Sequence, residues 1–213
     1  MFFIRSIEPA GSLICVKIEG NCDGILEEKR FLIAKEFFAP LGIKEGDRAD
    51  DDSLDAVARA ETLTRAVSKA LDILSFSNVS RRTLTDKLRL KHSFPKSEAE
   101  EAADYVVRRG YLDEDAQARR IAENDVQTKN WGMRRVVSEL YAKGYPKECA
   151  VEAAKSVGED AYRAALRKLI DKKVKVAPPD AASYNKIISS LLRLGHSPSD
   201  VKEALVEKFD GEE

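Results

Sequence analysis

Apolar positions recur in this chain about every 51 residues, and that recurrence constrains its fold more than any other feature. Ala99, Ala102, Ala103 and Val106 are spaced i, i+3, i+4, i+7, the stripe one face of an α-helix presents. A shift of 51 residues leads to Ala150, Ala153, Ala154 and Val157, and another 51 to Val201, Ala204, Leu205 and Lys208. Met133, Val136, Val137 and Leu140 map at the same shift onto Tyr184, Ile187, Ile188 and Leu191. Going backwards, a shift of 52 sets Leu84 and Leu88 under Val136 and Leu140. A third stripe, Val67, Ala70 and Leu71, reappears as Ala118, Ile121 and Ala122 at 51 and as Leu166, Leu169 and Ile170 after a further 48. Three faces recurring in step predict a mainly α protein, with three tandem three-helix repeats in an elongated curved array.

The punctuation recurs as well. Phe94–Pro95 corresponds to Tyr145–Pro146, placing proline where a third helix begins and its missing N–H does no harm. Gly144 and Gly195 share the place of a left-handed helix end, while the first repeat has Lys91–His92–Ser93 there, with one residue extra. Gly110 reads as a further helix stop, and Ser97 with Glu100 as a capping box. The expected divisions are an N-terminal β-containing extension at 1–54 and repeats at 55–110, 111–158 and 159–213. Pro178–Pro179 falls in the longest internal connection of the third repeat.

The extension reads differently. SLICVKIEG alternates with a period near two and NCDG supplies turn chemistry, which predicts a small β-hairpin. A short helical or mixed piece should follow and end near Pro40–Gly42. Five aspartates between Asp47 and Asp55 predict a solvated turn and a helix N-terminus.

Composition narrows the function. With 43 % apolar and 34 % charged residues and a net charge of −1, the chain is folded rather than disordered. No apolar run approaches the ~20 residues of a membrane span, and Arg5 and Glu8 interrupt any leader-like core. Three cysteines without a CxxC pair suit a reducing compartment, so a cytoplasmic protein without membrane contact is expected. The two histidines, His92 and His196, fall at loop positions, no HExxH occurs, and no glycine pattern would cradle a phosphate. Acidic clusters such as Asp113–Glu114–Asp115 read as helix N-termini. The expectation is no enzyme, no cofactor and no metal.

Basic clusters are the remaining candidates. Arg81, Arg82 and Lys87 lie on the second helix of the first repeat, and Arg134 and Arg135 on that of the second. The first helix of the third repeat carries Arg163 and Arg167 on one side, with Lys168, Lys172 and Lys175 along another. Each cluster alone reads equally well as a solvated helix face, whereas their recurrence points to an anionic partner. Trp131, the single tryptophan, is expected to pack between repeats rather than touch a partner.

The second repeat, GYLDEDAQARRIAENDVQTKNWGMRRVVSELYAKGY, resembles the regulatory protein RecX family. Gly110, Leu112, Asp113, Ala118, Gly132, Arg135, Glu139, Leu140, Lys143 and Gly144 occupy that family's positions. Ala70, Leu71, Leu74, Ser80, Leu84 and Leu88 are similar to its opening repeat. The resemblance covers roughly 65–158 and, more weakly, the third repeat. Gln117 and His92 depart from its pattern, standing where an aromatic residue and a glycine are usual. The resemblance implies a non-enzymatic modulator that lies in the groove of the RecA–DNA filament and usually inhibits it, with consequences for recombination, repair and the SOS response; the chain is expected to be a monomer. The alternative is a module that binds single- or double-stranded DNA directly through its basic helices. An enzyme with an unrecognised site ranks last.

Overall fold

In the computed structural model, residues 1–22, 25–174 and 180–210 are described, and the chain forms two compact units. One comprises Met1–Ser77 with Thr83–Leu112, the other Asn78–Arg82 with Asp113–Glu213. The protein is mainly helical with a β-sheet at its N-terminal end.

In the first unit, strands β1 (Phe2–Ala10), β2 (Leu13–Cys22), β3 (Ile25–Ala34) and β4 (Arg48–Ala49) form an antiparallel sheet of order β3-β2-β1-β4. The expected hairpin is β2–β3, and its Asp23–Gly24 turn lies outside the described residues. The sheet exceeds the expectation because Phe2–Ala10 adds a strand along β2. Pro9 is tolerated there because β4 pairs with Phe2 and Phe3 alone, leaving nothing opposite the proline's missing donor. The mixed piece is α1 (Lys35–Phe38) and a 3-10 turn, Ala39–Leu41, closed by left-handed Gly42.

Helix α2 (Asp51–Phe76) starts at Asp50, whose carboxylate accepts the Ser53 amide. It buries Val57 and Ala60 against Ile4, Val16, Ile18 and Ile33 of the sheet. It also closes one end of the β3 edge. The Leu32 amide donates to Glu61 Oε1 and the Ala34 amide to Thr64 Oγ1, each at 2.9 Å. An edge strand with unpaired amides is an aggregation template, and here α2 covers two of them.

Helix α3 (Arg81–Asp86) runs into a π-helical turn, Lys87–Lys91, and then α4 (Lys96–Arg108). The π turn accommodates the extra residue. The Phe94 amide reaches back to the Leu88 carbonyl, as the Tyr145 amide does to Leu140, but across one more residue. Ser93 then takes φ 57°, where Gly144 and Gly195 have 88° and 90°. The capping box does not form. Pro95 is the N-cap of α4, so Ser97 lies inside the first turn and donates to Glu98 at 2.6 Å.

The second unit holds α5 (Glu114–Lys129), α6 (Met133–Ala142), α7 (Lys147–Ser156), α8 (Glu159–Lys173), α9 (Ala181–Arg193) and α10 (Pro198–Asp210). Asp113 caps α5 through the Ala116 amide at 2.9 Å. The striped residues are where this unit buries apolar surface. Ala118, Ala122, Val136, Leu140, Ala150, Ala153 and Ala154 form one core, and Leu166, Leu169, Ile170, Leu191, Val201 and Leu205 another. Gln117 accepts the Tyr145 hydroxyl at 3.2 Å, a contact within this packing. Pro178–Pro179 lie outside the described residues.

Candidate functional site

Of the cations singled out in the sequence, the second unit sorts its own into free and engaged. Arg134 sits in the first turn of α6, exposed and without an ion-pair partner among the described residues. Its place at a helix N-terminus is unfavourable to the helix dipole, so helix stability does not account for it. Arg135 places its guanidinium 5.1 Å from the Trp131 ring centroid, and Lys129 Nζ lies 4.2 Å from the same centroid. Glu139, four residues beyond Arg135, pairs with Lys143 at 2.6 Å, and that ammonium holds its carboxyl below the ordinary range. Trp131 itself is half-buried against the Ala118–Leu140 core.

Helix α8 divides its two basic rows. Arg163 pairs loosely with Glu159 at 3.7 Å, and Arg167 reaches across to Glu207 of α10 at 2.9 Å. Lys168 and Lys172, on the other row, are exposed and without an ion-pair partner among the described residues. Asp171 pairs with Lys208 at 3.3 Å. Lys175 lies outside the described residues.

On α3, Arg82 is exposed, and the Arg81 amide donates to Glu114 Oε1 at 2.9 Å, both in the second unit. Lys87, in the π turn of the first unit, is half-buried. The structure therefore leaves Arg134 free beside an engaged Lys129–Trp131–Arg135 stack, in which Lys129 also pairs with the buried Asp125 at 2.7 Å, and it leaves Lys168 and Lys172 free on α8. Lys129, which precedes the Arg134–Arg135 cluster in the sequence, joins it in space through the Trp131 ring. No local pattern announces Glu207 of α10, which meets Arg167.

The histidines occupy structural surroundings. His196 is 3 % exposed and its Nε2–H donates to the Asn130 carbonyl at 3.0 Å, which settles the tautomer. Burial lowers its pKa, against the smaller opposing pulls of that hydrogen bond and of Asp200. His92 is half-buried, and burial together with Lys69 and Lys91 lowers its pKa. Burial pushes the Cys149 thiol up to about 12, which makes it a poor nucleophile. Among the described residues no group of three or more His, Cys, Asp or Glu side chains is placed to hold a metal ion. No described helix is long and apolar enough to cross a membrane.

What the molecule presents is charged helix faces on a helical frame. No family model matches the chain. It is 26 % identical over 138 residues to the regulatory protein RecX of Clostridioides difficile, covering 64 % of each chain. It is 31 % identical over 105 residues to the regulatory protein RecX of Thermus thermophilus, covering 49 % of this chain and 71 % of that one. Two crystal structures share the fold. One, of a regulatory protein RecX, superposes with a TM-score of 0.75 at 19 % identity over 95 % of this chain and all of the other. The second, RecX from Lactobacillus salivarius, gives 0.64 at 21 % over 70 % and 97 %. The chain belongs to the regulatory protein RecX family. It spans 64 % and 65 % of the lengths of the Clostridioides difficile and Chlorobium limicola relatives.

Proposed function

We propose that the chain binds the RecA–DNA filament and lowers RecA's recombinase and ATPase activities, acting as a monomer, without catalysis or cofactor, in the cytoplasm. Membership of the RecX family supports RecA as the partner. The observation that carries the mode of binding is the set Arg134, Lys168 and Lys172, three exposed cations with no ion-pair partner among the described residues and no role in the cores. An anionic groove of protein and DNA is the complement of such a set. In this reading the divisions 1–54, 55–110, 111–158 and 159–213 are successive contact modules, and several weak contacts add through multivalency. Arg81, Arg82 and Lys87 would belong to the first of the helical modules.

Titration of RecA's DNA-dependent ATPase tests the reading. A stoichiometric fall in hydrolysis supports it, and unchanged hydrolysis at saturating protein overturns it. The second reading, direct binding to single- or double-stranded DNA, draws on Trp131 with its flanking Lys129 and Arg135, since an aromatic ring beside cations is suited to a base and its phosphate. Affinity for naked DNA that collapses between low and physiological salt, with no effect on RecA, would favour it.

A further inference from the structure

The two basic rows of α8 have unequal surroundings. Arg163 and Arg167 line a depression of about 50 Å³ whose other wall is α10, with Asp200, Glu203, Ala204 and Glu207. An adjoining depression of about 190 Å³ continues along Arg167, Asp171, Glu207 and Lys208. Glu207 bonds Arg167 at 2.9 Å and Arg163 pairs more loosely with Glu159 of its own helix at 3.7 Å, while Lys168 and Lys172 face no carboxylate partner among the described residues. Helix α10 is fixed in position, because Val201 and Leu205 are fully buried with Leu166, Leu169 and Ile170. Its acidic row is therefore held over the arginines whenever the unit is folded.

We infer that the acidic row of α10 is an internal competitor: Glu207 occupies Arg167 as a bound polyanion would, Glu203 lines the same depression beside Arg163, and together they attenuate the affinity of this face for phosphate-rich partners. The inference rests on the reading that the face takes a polyanion. The contact is suited to competition rather than to permanent closure. Arg167 and Glu207 are about half exposed, at 61 % and 50 % of their side-chain area, and an ion pair of that kind is weak and readily exchanged. A phosphate chain already held by Lys168 and Lys172 can displace it by turning two side chains, with no movement of either helix. The carboxylates would thus set how much of α8 a partner engages, two lysines at low partner charge density and two further arginines at high.

The test compares binding of a short oligothymidylate at low salt by the full wild-type chain and by Glu203→Gln with Glu207→Gln. The expected result is ~3- to 5-fold tighter binding by the variant, the size that relief of one or two exposed ion pairs permits. Its salt dependence should steepen by ~0.7 for each further phosphate engaged. Adding Arg163→Gln and Arg167→Gln should abolish the gain. A charge-matched control, Glu123→Gln with Glu148→Gln, should show no comparable gain. Equal tightening in that control, a gain that survives loss of the arginines, no gain, or no binding by either chain overturns the inference. Thermal melts of each variant establish that it is folded. A wild-type chain without effect on RecA's ATPase refutes RecA as target but leaves this comparison standing. A missing gain beside normal RecA modulation refutes only the role of the carboxylates.

Discussion

Gly132 and Gly195 meet backbone to backbone. A Cβ on Gly132 would lie 2.3 Å from the Gly195 carbonyl carbon, and one on Gly195 would lie 2.3 Å from the Arg135 nitrogen. The Gly132 amide donates to the Leu194 carbonyl at 2.8 Å, and His196 bonds Asn130 beside it. The turn that carries Trp131, Arg134 and Arg135 is thereby locked to the α9–α10 turn, so the cations start from a rigid base.

Gly132→Ala should destabilise the protein by about 2–3 kcal/mol, because two backbones rather than a flexible side chain must part. Gly195→Ala should cost at least as much, since its φ of 90° adds backbone strain. Urea unfolding reads this directly. Losses under ~0.5 kcal/mol in both variants would show that the turns are not in contact.

Ser93→Gly should act in the opposite sense. Serine at φ 57° carries a left-handed cost of ~1–2 kcal/mol, against the ~0.5–1 kcal/mol of chain entropy that glycine loses on folding. The expected net is a stabilisation of about 0.5–1 kcal/mol in the same unfolding experiment. Destabilisation would mean that the serine's backbone is not strained.

Tyr105 donates to Glu36 at 2.6 Å and Arg109 bonds the other oxygen of that carboxylate at 2.6 Å, joining α4 to α1 within the first unit. Tyr105→Phe should cost about 1 kcal/mol, and a double-mutant cycle with Glu36→Gln should return a coupling of ~0.5–1 kcal/mol. A coupling of zero would reduce the contact to two solvated side chains.

Stability should respond to pH through His196. Its folded pKa lies below the unfolded 6.5, so above that value both states are neutral and it contributes nothing. As pH falls below 6.5 the unfolded chain takes the proton first, and stability drops until the folded value is passed. Glu159, Arg163 and Asp200 line the depression beside the ring. Wild type should lose more stability than His196→Gln between about pH 7.5 and pH 5, with glutamine keeping a donor for Asn130. Parallel losses in the two proteins would exclude His196 as the cause.

Arg134→Glu with Lys168→Glu and Lys172→Glu should leave the thermal midpoint nearly unchanged, since none of the three packs in a core or pairs with a described carboxylate. The same variant should bind the RecA filament at least ~10-fold more weakly, a loss of ~1.4 kcal/mol, and most markedly at low salt. Normal RecA modulation by this folded variant would return the clusters to solvated helix faces.

Local patterning was sufficient for the helical elements. The apolar spacing of Ala99–Val106 or Leu166–Ile170 is a property of a few consecutive residues, and so are the cap at Asp113 and the left-handed ends at Gly144 and Gly195. Strand β3 was less legible, because Glu27–Arg30 has no strand preference and is extended through pairing with β2, a partner outside the segment. The capping box failed because Pro95 moved the helix start by two residues from Ser97. Most consequential for function, six equivalent-looking cations on α6 and α8 became three free and three engaged. A residue's partner can lie tens of residues away, as Glu207 does from Arg167 and Gly195 from Gly132, and packing alone brings such residues together.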